Sequence, residues 1–365
     1  MEKPLAEAFP PGEYLAQELD AREWSQSDFA VILGRPVQFV SEIVAGKKEI
    51  TRESAAQIGA ALGTSAEVWL NLQNSYLLWK HSQNDSTQRQ LDEVRRRARM
   101  NELAPITLLR KRGLLRGETL DELEEDLKDL LGMSTLDEEP KLNVAARRAN
   151  EDSPLTSTQR AWIASSRRNA RNLKAKKYSG STLTSIAGML ARQLNNAMEF
   201  KSLPELLASA GVRLVYVESF PGSKMTGATF LLDDDPSKPV IALSGRGKRL
   251  DIVLFTLLHE IAHLVRGDVK PGQILIDDDE NYTRGDEIEA NKLAAEWAVP
   301  GGLPIPPKPI KQQWVLEEAE RLAVHPIVVI GQLQRRQDLD WRTQLVKGAP
   351  TVTNELAAWG SKIAG

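Results

Sequence analysis

Residues 257–265 read LLHEIAHLV, and the fold turns on how this stretch is understood. The chain has four histidines, His81, His259, His263 and His325, and two of them stand four apart inside this apolar run. A core helix prefers leucine. Two imidazoles and a carboxylate buried there cost free energy unless something pairs with them. Each helical residue advances about 100°, so His259 and His263 share one face, one turn apart. Both rings can then reach a single metal ion, at roughly 2.0–2.1 Å if the ion is zinc. Glu260, beside the first ring, is placed to act as general base on a water activated by that ion. His-Glu-x-x-His on a helix is the spacing used by metallopeptidases. The competing reading is a helix whose histidines only satisfy backbone carbonyls.

Two ligands do not complete a catalytic zinc site, which takes three from the protein. The next helical segment, DEIEANKLAAEWAVP, offers Glu287 and Glu289. With Glu287 as origin, Asn291, Ala294 and Ala298 fall within roughly 40° of it, a face small enough to pack closely on another helix. Glu289 groups with Lys292 and Glu296 on the opposite, solvent-like side. Glu287 is therefore the expected third ligand. Glu289 is left as a solvated acid or as a residue orienting a ligating histidine.

Around this helix the pattern is mixed. VRLVYVE (212–218), TGATFLL (226–232) and PVIALS (239–244) read as strands, with turn residues DDDPSKP between the last two. Helices precede and follow them, so an α+β domain with a short mixed sheet is expected over 181–365. FTLLHEIAHLV followed by EIEANKLAAEWAVP resembles the ImmA/IrrE family of metallopeptidases. GATFLLDDDPSKPVIALSGRGKR and LAVHPIVVIGQL resemble that family's flanking segments, so the resemblance covers roughly 181–340. It implies a zincin-like fold, one zinc ion per chain on His259, His263 and Glu287, and endopeptidase activity, often directed at a transcription repressor. His325 and, more weakly, Tyr282 are candidates for orienting a ligand or stabilising an oxyanion, with a structural role the competing reading for His325.

The N-terminal stretch is all helical in pattern. SQSDFAVILG opens with Ser25 and stops at Gly34; RPVQFVSEIVAG opens with Pro36 and stops at Gly46; TRESAAQIGAALG is capped by Thr51 and closed by Gly63. Five short helices fit between residues 13 and 79. The Ser25–Gly46 segment has the helix-turn-helix pattern, with Phe29, Ala30, Leu33, Val37, Val40 and Val44 expected inside. Gln38, Phe39, Ser41 and Glu42 then face outward, where a recognition helix meets base edges. Gln26 is placed for a phosphate, and Lys47 and Lys48 for the DNA backbone; Arg35, in the turn, is taken with them. The stretch from PPGEYLAQELD to LNLQNSYLL resembles the HigA group of Xre-type antitoxins. That resemblance implies an autorepressor binding a palindromic operator as a homodimer. The competing reading is a helical bundle that binds only protein.

Composition sets the outer bounds. Hydrophobic residues make up 41% and charged residues 27%, normal for a globular chain of more than one domain. With no cysteine there is neither a disulfide framework nor thiolate-held zinc nor a thiol nucleophile. No signal peptide and no membrane-spanning run can be read, so a cytoplasmic protein without membrane contact is expected. The net charge is −3, but it is unevenly placed. Residues 1–80 hold seven bases and eleven acids, so DNA binding there depends on clustering rather than on a broad positive surface. Residues 141–180 hold ten bases against two acids. That block reads as part of a solvated, charged helical connector over 81–180, with a nucleic-acid-contacting arm as the alternative.

The expected architecture is mainly α: a helix-turn-helix domain (1–80), the connector (81–180) and the metallopeptidase domain (181–365). The expected function is an antitoxin-like regulator that binds operator DNA and carries a zinc endopeptidase site acting on a repressor, a toxin or its own connector around 137–154. TGATFLL is the expected edge strand on which an extended substrate would lie. The alternative is a non-proteolytic autorepressor whose zinc domain senses a signal or holds a toxin.

Overall fold

The computed structural model describes residues 7–140, 146–148, 155–278 and 285–361. The chain forms two compact units, one ending at Arg97 and the other beginning at Ala98.

The first unit opens with five helices: α1 (Pro11–Asp20), α2 (Gln26–Leu33), α3 (Val37–Val44), α4 (Arg52–Leu62) and α5 (Ala66–Ser82). Local chemistry sets their ends. Ser25 and Asp28 form a reciprocal capping box at the start of α2, and Gly34 closes it at φ +64°, a conformation costly for other residues. Thr51 caps α4, Ser65 caps α5, and Gly63 ends α4 in the same left-handed geometry. The core joins Leu15, Phe29, Val40, Ile43, Ile58 and Trp69. Its buried polar atoms are paired: Gln73 accepts from the Ile50 amide at 2.9 Å, and the Trp69 indole donates to Thr64 at 2.8 Å. The inward set on α3 differs from expectation. Val40 and Ile43 are buried, Val44 is half-buried, and Val37 is 46% exposed. Val37 shares the stripe of Val40 and Val44, but it is the first residue of the helix, directly after Pro36, and the core does not reach over it.

The second unit is built on a five-stranded mixed sheet of β1 (Ala146–Arg148), β2 (Arg213–Tyr216), β3 (Met225–Leu231), β4 (Pro239–Leu243) and β5 (Ile274–Asp278), in the order β1-β5-β3-β4-β2. β3 runs antiparallel to β4 and β5; β2–β4 and β1–β5 are parallel. The expected edge strand is thus internal: β3 is paired on both sides and cannot take a peptide by strand addition. Alternation along β4 shows both faces covered. Ile241 and Leu243 join one core with the helices Leu250–Arg266 and Gly285–Ala298; Val240 and Ala242 join a second core.

That second core corrects the connector reading. The expected boundaries at 80 and 180 are not where the compact units divide, because residues 100–133 and 155–170 supply the layer that covers the sheet's other face. The helix Ser157–Arg171 buries Ala161, Trp162, Ile163 and Ala164, and the Trp162 indole donates to the Val217 carbonyl at 2.7 Å. Much of the 137–154 stretch expected to be cut lies outside the described residues, as does Tyr282. No helix among the described residues is long and apolar enough to cross a membrane.

Candidate metal centre and nucleic-acid interface

The helix Leu250–Arg266 carries His259, Glu260 and His263 into the core; the first and last are 2% exposed and Glu260 1%. Its C-terminus is closed by left-handed Gly267. The helix Gly285–Ala298 packs beside it through Ala290, Ala294 and Ala298, and those small side chains let Glu287 approach the two rings. Three ligand-type atoms converge. The two Nε2 atoms are 3.0 Å apart, and Glu287 Oε2 lies 3.1 Å from that of His259 and 3.5 Å from that of His263.

Between neutral imidazoles these contacts make no sense as hydrogen bonds. His259 Nδ1 lies 3.1 Å from Asn291 Oδ1 and His263 Nδ1 lies 3.0 Å from Asp268 Oδ2, both oxygens being acceptors. A neutral imidazole that donates through Nδ1 bears a lone pair on Nε2. Two such lone pairs then face each other and a carboxylate oxygen, and Glu287 Oε2 is buried with no partner in hydrogen-bond geometry. A cation removes the conflict. Tetrahedral ligands at 2.0–2.1 Å from zinc are about 3.3 Å apart, within the observed 3.0–3.5 Å spread. The residues present therefore fit a three-ligand zinc site.

Without a cation the same crowding draws a proton onto the rings instead. Burial opposes charge on His263, but the Asp268 and Glu287 carboxylates override it and hold the imidazole up at about 10. His259 is raised in the same way: burial works against its charge and Glu287 outweighs it. Glu287, despite burial, is held down to about 2 by the two rings. Glu260 goes the other way, and burial pushes it up to about 7.

Glu260 is held by the sheet. The Thr229 hydroxyl donates to its Oε2, and Gly227, two residues earlier on the same face of β3, makes room for Oε1. A β-carbon at position 227 would sit 2.3 Å from that oxygen. Beside His259 a cavity of ≈ 340 Å³ is lined by Asn291, Thr226, Asp277, Phe255 and Arg335. Asp277 is buried and accepts from the Thr226 hydroxyl at 2.7 Å.

Of the residues singled out in the sequence, His259, His263 and Glu287 come together, and Glu260 is buried beside them. Glu289 is exposed and paired with Lys292 at 2.6 Å, so it orients no histidine. His325 caps the helix Pro326–Arg335, its Nδ1 accepting from the Ile327 amide at 3.1 Å; that is its structural task. Asp268, Thr229, Gly227 and Asp277 were missed. Only Gly227 and Thr229 left a trace in the sequence: a glycine and a hydroxyl two apart in the strand MTGATFL.

On the first unit, Gln26, Gln38, Lys47 and Lys48 are exposed, and Ser41 is half-buried. The Gln38 amide donates to Glu42 Oε1 at 2.8 Å, and the Ser41 hydroxyl to the Gln38 carbonyl at 3.0 Å. Phe39 is half-buried, with Arg35 and Lys48 over its ring at 5.4 and 4.9 Å. Arg35 also pairs with Glu53 and donates to Gln57 at 3.1 Å. It is an internal tie of the bundle as well as a surface cation.

Comparison with known proteins divides along the same line. The family described as IrrE N-terminal-like domain, Peptidase_M78, matches residues 211–325. The uncharacterized HTH-type transcriptional regulator YddM of Escherichia coli is 32% identical over 68 residues, 19% of this chain and 72% of that protein. An addiction module antidote protein of a HigA family from Coxiella burnetii is 31% identical over 23% of this chain and 91% of its own, with a TM-score of 0.22. Antitoxin HigA of Pseudomonas aeruginosa, solved with the higBA promoter, is 30% identical over 22% and 90%, also at 0.22.

Proposed function

We propose, for a chain that belongs to the helix-turn-helix transcriptional regulators and carries an IrrE N-terminal-like domain, that it binds operator DNA through its first unit and hydrolyses a peptide bond in its second. The observation that carries the second half is the convergence of two imidazole lone pairs and a carboxylate, each ring already oriented from its far side.

His259, His263 and Glu287 would hold one zinc ion. That ion would supply Lewis acidity, which makes water a usable nucleophile at neutral pH. Glu260 is the general base: near 7, its carboxylate can accept a proton from the attacking water and return it to the leaving amine. Thr229 holds Oε2, which fixes the carboxylate plane and directs Oε1 to the proton. Asn291 and Asp268 hold the two rings in the ligating tautomer. The cavity beside His259 admits the substrate residue next to the cut. On the first unit, α2 and α3 are the helix-turn-helix, with Gln38 on base edges, Gln26, Lys47 and Lys48 on phosphates, and two copies on a palindromic site.

The test of the peptidase half is a comparison of wild type with Glu260→Gln, each loaded with zinc and incubated with extract of the source cells. New protein N-termini are then tagged and identified. Termini formed by wild type and absent with Glu260→Gln are expected. Identical sets from the two proteins, with zinc bound to both, would leave a non-proteolytic platform as the function. A repressor, a toxin and the chain itself are the substrates to look for among those termini.

A further inference from the structure

On the reading of the first unit as operator-binding, we propose that Val37 reads a base: its side chain rests on the 5-methyl of a thymine in the major groove. The position motivates it. Val37 is the first residue of α3, directly after Pro36, at the end of a recognition helix that enters the groove. Turning by 100° per residue from Val37, Ser41 lies at about 40°, Gln38 at about 100° and Glu42 at about 140°, while the buried Ile43 and Val40 lie near 240° and 300°. Half-buried Val44 lies at about 340°, so Val37 stands at the edge where the buried stripe meets the sector of three polar side chains, and it is 46% exposed there.

The chemistry narrows what it can meet. Within this sector the Gln38 amide is held by Glu42 and the Ser41 hydroxyl by the Gln38 carbonyl. Val37 has no hydrogen-bonding group and recognises only shape and apolar surface. A β-branched residue is also a weak choice for a half-exposed helical position, since its rotamer freedom is lost and only part of it is buried in return. Among the groups on base edges in the major groove, the apolar one is the thymine methyl. Basic side chains flank the helix at its two ends, Arg35 before the first turn and Lys47 and Lys48 after the last, which suits a polyanion. Val37 would therefore distinguish thymine from cytosine beside the pair contacted by Gln38.

The test removes the methyl from the DNA rather than only from the protein. Full-length protein first enriches duplexes from a random-core library. The best duplex is then resynthesised with deoxyuridine for thymidine, one position at a time. At one thymine per half-site, wild type should lose about fourfold in affinity, the value of burying one methyl. Val37→Ala should start weaker and lose nothing further at that position. Val37→Thr, which keeps one methyl, should fall between them. Folding is not at stake, because the side chain is outside the core and alanine is the better helix former; circular dichroism checks it. Equal deoxyuridine profiles for wild type and Val37→Ala, or a wild type indifferent to every replacement, would overturn the assignment. So would unchanged profiles together with a shift in oligomeric state for Val37→Ala, which would give the side chain to a second copy. A library that yields no enriched duplex would remove the operator-binding reading at the first step, and Val37 with it.

Discussion

Replacing Gly227 by alanine isolates how the Glu260 carboxylate is held. Position 227 lies in β3 and its backbone is not left-handed, so alanine is conformationally acceptable there. The obstacle is steric. The new β-carbon would lie 2.3 Å from Glu260 Oε1, 3.0 Å from its Cδ and 3.1 Å from its Cγ. Ordinary contact begins near 3.4 Å, so the oxygen has to retreat by roughly 1 Å. It has no free direction: Glu260 is 1% exposed and Thr229, on the same strand, holds its other oxygen. Either the strand shifts, an overpacking cost of about 1–3 kcal/mol, or the carboxylate swings and loses a bond worth about 1.5–3 kcal/mol when ionised. Against this stands a gain of about 0.4–1 kcal/mol from stiffening the unfolded chain. A net loss of about 1–2 kcal/mol is expected from urea unfolding of the zinc-free protein. The same substitution in a Glu260→Ala background should be neutral or slightly stabilising, because all three crowding atoms are gone. The coupling, about 1.5–3 kcal/mol, is read directly from the four proteins. Equal losses in both backgrounds would refute the account, since the obstacle would then not be Glu260.

Glu287→Gln should lower zinc affinity far more than Glu289→Gln, which changes only an exposed pair with Lys292; titration against a chelator of known affinity decides, and equal losses would exclude Glu287 as a ligand. Asp268→Ala should cost about 10–100-fold in zinc affinity without removing a ligand, because His263 loses the group that orients it. Zinc binding should tighten as pH rises from 5 to 8: His263 is held at about 10, so in the zinc-free protein it carries a proton that must leave on binding, giving a slope of at least about one decade per pH unit. A flat profile by competition titration would show that these rings are not the ligands. On DNA, Gln38→Ala should cost about 1–3 kcal/mol at a specific site and little on random duplex, whereas Lys47→Ala should weaken both alike and lower the salt slope by about 1.

What could be read in advance follows how local each feature is. The spacing of His259, Glu260 and His263 is a property of one helix, and so is the separation of Glu287 from Glu289. In the latter case Asn291, Ala294 and Ala298 mark the face that packs, and Lys292 marks the face that does not. The caps at Ser25, Thr51 and Ser65 are local too, which is why the five helices of the first unit could be placed one by one. Strand order is not local. Nothing within TGATFLL distinguishes a middle strand from an edge, because β4 and β5 reach it from later in the chain. The oxygen that orients His263 likewise belongs to Asp268, beyond the helix end, and the one that orients His259 comes from another helix.

The layer formed by residues 100–133 and 155–170 was hidden for a different reason: its charge count reads as solvation. Several of its arginines are spent inside the fold. Arg160 donates to the Glu102 carbonyl at 2.7 Å, Arg168 to the Leu114 carbonyl at 3.0 Å, and Arg112 to the Glu218 and Ser219 carbonyls at 2.7 and 2.9 Å. Carbonyls near helix C-termini and at strand ends lack backbone donors, and a guanidinium supplies several at once. Between those arginines six consecutive residues, 161–166, are buried, including Trp162 and Ile163. That continuity arises because the helix is covered on more than one side, by the sheet and by its neighbours in the layer. A charge-rich helix of this kind is therefore distinguished from a solvated one by the apolar run between its charges, not by their number. On that criterion the layer is part of the second unit's core, and Trp162→Ala, which removes a fully buried indole bonded to the Val217 carbonyl, should cost about 3–5 kcal/mol in urea unfolding; an unchanged midpoint would return the helix to the solvated class.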